Sequence, residues 1–294
     1  MKNKASFLPV AAFCALGVIW GSNFIYMKMA AQLITPLQIV FCRVLFGFVP
    51  VFIYAQMRGD LRWQHLRHIG HYLVMALLAT AVYYYGFAKG TSLLLSGVAG
   101  ALSGAISLFS FILAVLFIAE EKATRIKIIG VVIGFIGVVI IGRPSGQDLI
   151  TTNLEGVFYV VAGSLSVGAS FVYARKYIIP LKIPATALTT YQLGLGLLIL
   201  ALFTDYSGIT NILQSTHATA GLIIGLGLLG TGLAYIIYYY IVKKFGAISA
   251  SSVTYIPPVV ALLIGALLVG EPIKAADYGA TVLIFIGVFL LKRK

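Results

Sequence analysis

The sequence predicts an all-α integral membrane protein: ten transmembrane helices forming two inverted five-helix repeats around a central cavity. Three observations predict it. The chain is 61% hydrophobic and only 10% charged, with a mean hydropathy of +1.03, whereas a soluble domain is about a quarter charged. Apolar runs long enough to cross about 30 Å of hydrocarbon recur along the whole chain. A shift of about 150 residues also lays one half on the other. Glu121 then falls on Glu271, Phe135-Ile136-Gly137-Val138 on Phe285-Ile286-Gly287-Val288, and Arg143 on Arg293.

The first five spans are read as Phe7–Met29, Pro36–Met57, Ile69–Ala88, Gly97–Ala119 and Ile126–Gly142. The second five are Leu154–Tyr177, Ala185–Thr204, Ala218–Val242, Ala247–Val269 and Ala275–Leu291. Dividing the chain in the loop after Arg143 gives one repeat over residues 1–145 and another over 146–294. An odd number of spans per half makes the second half enter the membrane from the opposite side, which inverts the repeat. No long linker or water-soluble domain interrupts the spans.

The formal charge of +13 raises the question of nucleic acid. Its placement excludes that partner, because the basic residues sit between apolar runs rather than on one basic face. Lys2, Lys4, Arg58, Arg62, Arg67, Lys122, Arg125, Lys127, Arg175, Lys176, Lys182, Lys243, Lys244, Lys292, Arg293 and Lys294 fall on one side of the membrane. Only Lys28, Lys89, Arg143 and Lys274 fall on the other. That bias places both termini in the cytoplasm. The basic, apolar start imitates a signal peptide, but no A-x-A-like cleavage site follows it. Cys14 and Cys42 lie inside apolar runs and read as small hydrophobes, not as a disulfide or metal site. No cofactor-binding or metal-ligating spacing appears, and the expected partners are the lipid bilayer and a small-molecule substrate.

The early spans repeat as well. Gly21-Ser22-Asn23-Phe24-Ile25-Tyr26-Met27-Lys28 matches Gly168-Ala169-Ser170-Phe171-Val172-Tyr173-Ala174-Arg175 at Gly, Phe, Tyr and a closing basic residue. Tyr83-Tyr84-Tyr85 echoes Tyr238-Tyr239-Tyr240. With Trp20-Gly21-Ser22-Asn23-Phe24 in the first span, Arg43 in the second and the Gly/Ala-Glu hairpin in each half, the chain resembles the drug/metabolite transporter superfamily. The likeness is to its EamA-type ten-helix members. That resemblance implies a secondary carrier of the bacterial-type inner membrane, exporting amino acids or related metabolites by alternating access. Multidrug efflux and metabolite uptake are the alternative activities. It implies a cavity lined by helices 1, 3, 4, 6, 8 and 9, with helices 5 and 10 as packing elements.

Inverted-repeat carriers bind substrate near the midplane where their halves meet. Trp20, Asn23 and Met27 share one face of the first span. Asn23 suits a substrate amino or carboxyl group and Trp20 a wall or gate; the bland reading is packing and an interhelical hydrogen bond. Tyr235, Tyr238 and Tyr239 form a stripe on the eighth span, opposite Tyr83 and Tyr84 on the third. Such tyrosines either close a pore around an amphipathic solute or anchor at the interface. Ser103, Ser107 and Ser110 mark the fourth span, Ser170 the sixth, and Tyr255, Pro257 and Pro258 the ninth. Paired prolines free backbone carbonyls, and serines offer hydroxyls unless these bond back to their own helix.

Arg43 is a charge inside a predicted span, a functional candidate by default. Its depth also permits snorkelling to the surface, so a structural or gating role is favoured over substrate contact. Glu121 and Glu271 each precede a helix, whose N-terminal dipole explains them. Gly100 and Gly104, Gly130 and Gly134, and Gly221 and Gly225 form small-residue faces for close helix packing. No clustered catalytic set appears, so an enzyme is not expected; a non-transporting scaffold is the remaining alternative class. A coupling proton or counter-solute and a monomer or weak homodimer complete the expectation.

Overall fold

A computed structural model describes residues 4–142, 153–245 and 252–291, and no strand occurs among them. The expected repeat boundary near Arg143 lies outside the described residues. In chain order the helices are α1 (Lys4–Ala30), α2 (Pro36–Met57), α3 (Trp63–Leu93), α4 (Ser96–Phe117) and α5 (Arg125–Gly142). Then come α6 (Leu154–Leu181), α7 (Ala185–Phe203), α8 (Thr216–Ala220, Gly221–Leu233 and Ala234–Phe245 end to end), α9 (Val253–Leu268) and α10 (Ala275–Leu291). Seven of these, α1–α4 and α6–α8, are long and apolar enough to cross a membrane, while α9 and α10 are shorter. Large apolar side chains such as Leu202, Phe203, Leu267 and Leu268 face outward. That is the surface a bilayer covers and water does not tolerate in quantity.

Local chemistry sets the boundaries. Thr35 Oγ1 accepts from the Gln38 N–H at 3.3 Å, and Gln38 Oε1 accepts from the Thr35 N–H at 3.0 Å. This capping box, followed by Pro36, starts α2 where the pattern predicts. Asn153 Oδ1 accepts from the Gly156 N–H at 3.0 Å and starts α6 in the same way. Elsewhere the helices depart from regular geometry. α3 opens with a 3₁₀ turn, Trp63–His68, and widens into a π turn over Leu77–Ala81. α4 breaks at Ser103-Gly104, between Ser96–Leu102 and Ala105–Phe117. α8 is π-helical over Gly221–Leu233. Periodicity in a sequence carries no signal for such widened turns, because a π turn changes the residues per turn without changing a largely apolar composition.

Glycines set the packing distance. A Cβ at Gly21 of α1 would lie 2.5 Å from Val260 Cβ and 3.1 Å from Pro257 O of α9, so those backbones cross in contact. Gly47 of α2 faces Thr231 of α8, and Gly221 and Gly225 both face the ring of Tyr26. Gly130 of α5 faces Gly287 O of α10. These close approaches replace the hydrophobic drive that lipid removes. Gly100 and Gly104 do not form one face for one partner: across the break in α4, Gly100 packs on Ala261 of α9 and Gly104 on Ile284 of α10. A glycine with a different task is Gly270, whose φ of +69° turns the chain after α9.

Gly287→Leu overpacks the α5–α10 contact and should lower stability by about 1–3 kcal/mol. Gly279→Ala, which meets nothing within 4 Å, should leave it unchanged. Thermal unfolding in detergent, read by size-exclusion chromatography, separates the two.

Candidate functional site

A cavity of about 850 Å³, counted with its open mouth, lies in the middle of the bundle. Side chains from α1, α2, α3, α4, α6, α8 and α9 reach it. α1 supplies Trp20, Asn23 and Met27, the face expected from their spacing. α3 supplies Tyr83, Tyr84 and Phe87; α4 supplies Ser103; α8 supplies Tyr235 and Tyr238; α9 supplies Thr254 and Pro257. Aromatic rings line much of the cavity wall. Tyr83 sits 4.7 Å from Phe87 edge to face, Phe87 sits 5.7 Å from Phe24, and Trp20 sits 6.0 Å from Tyr238, centroid to centroid.

Arg43 of α2 closes one side of this wall, and here the sequence expectation is corrected. Its side chain does not snorkel: the residue is 4% exposed. Nε donates to Thr231 Oγ1 at 3.0 Å, and the guanidinium carbon lies 3.9 Å over the Tyr84 ring. With its amide turned to satisfy both neighbours, Asn23 donates to Ile19 O at 3.2 Å and accepts from Arg43 Nη2 at 3.1 Å. α2 reaches the cavity because Gly47 lets it lie against the π-helical stretch of α8 that carries Thr231. The resemblance left helix 2 out of the lining, and the structure brings it in.

A second cavity adjoins the first, sharing Phe171, Tyr238 and Thr254 with it. Ser107, Ser110, Arg175 and Tyr255 line it. It widens toward the end of the bundle where α4 and α6 finish and α9 starts. Ser107 and Tyr255 hydrogen-bond through their side chains there. Ser170 reaches neither cavity; its hydroxyl donates to Val167 O of its own helix at 2.7 Å. The Ser103 hydroxyl likewise donates to Gly100 O at 2.6 Å, although the residue stays on the cavity wall. The Tyr239 side chain lies outside the described residues. Phe24, Phe87, Ile106, Val167 and Phe171 were not singled out from sequence, because an isolated apolar residue in an apolar helix carries no positional signal.

The opposite end is tied together. Lys28 Nζ donates to Leu94 O at 2.6 Å and Ser92 O at 3.1 Å, holding α1 to the end of α3. Glu271 does not cap its own following helix. Its Oε1 accepts from the N–H and hydroxyl of Ser96, each at 2.8 Å, and its Oε2 accepts from the Gly97 N–H at 2.9 Å. The carboxylate therefore caps α4, where the N-terminal dipole favours it. Gln38 Nε2 donates to Asp205 O at 2.7 Å and Ser207 O at 2.9 Å, fastening α2 to the loop after α7. In that loop the Ser207 N–H and hydroxyl hold the Asp205 carboxyl below its usual range. Glu121, which the sequence shift of about 150 residues lays on Glu271, pairs instead with Arg175 Nη1 at 2.6 Å beside the open end. No group of three or more His, Cys, Asp or Glu that would hold a metal occurs among the described residues.

The sequence profile of the EamA-like transporter family matches residues 8–143 and 154–293. An uncharacterized transporter of Archaeoglobus fulgidus is 25% identical over 275 residues, covering 94% of this chain and 95% of the relative. The uncharacterized inner membrane transporter YedA of Escherichia coli (strain K12) is 26% identical over 97% of this chain and 90% of its own length. The uncharacterized transporter YdfC of Bacillus subtilis (strain 168) is 26% identical, covering 92% of this chain and 86% of its own. A solved protein crystal structure superposes with a TM-score of 0.61 at 16% identity, covering 96% of both chains, a likeness of fold.

Glu271→Gln removes the charge and one acceptor from the α4 cap, a contact class worth about 1.5–3 kcal/mol. It should loosen the tied end. In a Cys14→Ala, Cys42→Ala background, a cysteine placed at Ser92 should react faster with a membrane-impermeant maleimide in this variant than in its absence.

Proposed function

The chain belongs to the EamA-like transporter family, and from that premise we propose that it exports a small metabolite by alternating access. The observation that carries the reading is an asymmetry. The central cavity adjoins a second one that widens toward one end, while Lys28, Glu271 and Gln38 tie the other end together. A carrier caught open to one side has this form. The positive-inside bias makes the open side cytoplasmic, which is where an exporter loads. Like YedA, the protein then resides in an inner membrane.

In this reading the ten helices form two inverted five-helix repeats, residues 1–145 and 146–294. The hairpin glutamates act as counterparts at opposite ends. Glu271 caps α4 and holds the outer side shut, while Glu121 is released from the seal and pairs with Arg175. Rocking of the repeats exchanges these arrangements, with the α4 break at Ser103-Gly104 and the prolines of α9 as the places where helices bend. Gly100, Gly104 and Pro257 thus serve movement through packing and kinking. Trp20, Asn23, Tyr83, Tyr84, Tyr235 and Tyr238 surround the solute, and Ser107 and Tyr255 line its way in. Amino acids are the solute class the family resemblance implies, and a solute or ion gradient supplies the drive.

Trp20→Ala and Asn23→Ala, purified as folded monodisperse protein, should slow efflux of a labelled substrate, drawn from amino acids and related organic acids, from proteoliposomes about ten-fold, the loss expected for one wall contact worth 1.4 kcal/mol. Ser170→Ala should stay close to wild type. Undiminished efflux in both cavity variants would sink the assignment of the site.

A further inference from the structure

The transport reading leaves Arg43 with more capacity than its neighbours use. A guanidinium carries five N–H donors, no acceptor and a positive charge. Thr231 and Asn23 take one donor each, both as neutral acceptors, and Tyr84 offers only its face. Among the described residues Arg43 forms no ion pair. A charge that is 4% exposed and lacks a counter-ion is costly to hold. The remaining donors of a residue on the cavity wall are therefore an unfilled site for an anion, and the planar fork fits a carboxylate with two parallel hydrogen bonds.

The rest of the lining fixes what else the ligand carries. Among the described residues neither cavity is lined by an aspartate or glutamate, and the charged residues that line them are Arg43 and Arg175. A substrate ammonium would find no carboxylate, and in a space of low dielectric it would be repelled by the same arginine that holds the acid group. Trp20, Phe24, Tyr83, Phe87, Phe171 and Tyr238 instead offer rings on several sides.

We propose that the cavity selects a monoanionic organic acid with an aromatic or similarly flat apolar body, its carboxylate on Arg43 and its body among the aromatic side chains. Net-anionic acids bind in preference to zwitterionic amino acids and to cations. The movement of such a solute rests on the transport reading above; its binding does not. Arg43 is thereby a substrate-contacting residue, and Thr231 and Asn23 position it.

The test uses the full chain in nanodiscs of zwitterionic lipid with Trp63→Phe, so that Trp20 alone reports by fluorescence; empty nanodiscs correct for partitioning. Four probes share one ring and differ in charge: phenylacetate, phenylacetamide, phenylalanine and phenethylammonium. Phenylacetate should bind about ten-fold more tightly than phenylacetamide, the change one charged contact of 1.4 kcal/mol makes. Phenylalanine should bind more weakly than phenylacetate, and phenethylammonium weakest. Arg43→Gln should bring phenylacetate down to the level of phenylacetamide while the amide's own affinity stays unchanged, and Arg43→Lys should keep part of the preference. Equal binding of all four, tighter binding of phenylalanine or phenethylammonium, no binding of phenylacetate, or a preference that survives Arg43→Gln would each overturn the proposal. Should Arg43→Gln fail to fold, the charge order in the parent protein decides alone. Anion-selective binding without phenylacetate flux in proteoliposomes would bring down the transport reading and leave the anion site standing. Flux of phenylalanine with no phenylacetate binding would do the reverse.

Discussion

The structure is organised by one buried guanidinium. Arg43 sits on the wall of the central cavity, and three of the elements around it hold it. α8 widens into π turns and offers Thr231, α1 turns Asn23 toward it, and α3 lays the Tyr84 ring against its plane. Desolvating a guanidinium costs several kcal/mol when no counter-charge repays it. Three neutral contacts repay part of that. The remainder is a standing bias toward any anion that enters, so a cost in the empty cavity becomes affinity in the filled one.

Close helix packing is what lets those contacts exist. Gly47 brings α2 against α8, Gly21 brings α1 against α9, and Gly221 and Gly225 receive Tyr26. In lipid, apolar side chains gain nothing by leaving the solvent, so backbone proximity and interhelical hydrogen bonds hold the bundle. The same logic explains why the two ends differ. At the tied end the Glu271 carboxylate, the Lys28 ammonium and the Gln38 amide each reach the backbone of a distant segment. At the open end Glu121 and Arg175 meet each other at a half-exposed surface, where an ion pair is worth about 0–1 kcal/mol. The strong contacts close one end, and a weak one marks the other.

Much of this was legible in the residues. Composition and apolar run length gave the membrane class, the apolar span read from Pro36 gave the start of α2, and i, i+3, i+7 spacing gave the face of Trp20, Asn23 and Met27. What was hidden depended on partners distant in the chain. Arg43 looked free to snorkel because depth along its own helix says nothing about Thr231, which lies 188 residues away. Glu271 was read as capping the helix that follows it, whereas the left-handed turn at Gly270 leads it back onto α4. Ser170 had the right helix and depth, but its hydroxyl is satisfied within its own turn. The break in α4 and the π turns of α8 left no mark in a pattern that is apolar apart from isolated residues such as Ser103 and Thr231.

Alternation between two end states is the central claim, and paired spin-label distances test it most directly. In a cysteine-free background, one pair of labels at Ser92 and Asn211 spans the tied end, and a second at Ile118 and Tyr177 spans the open one. Double electron–electron resonance in nanodiscs should show the open-end pair with a long distance and the tied-end pair with a short one. Adding the solute should populate a second state in which the open-end pair shortens and the tied-end pair lengthens, in equal proportion. Distances that stay fixed, or that change at one end without the other, would contradict the account.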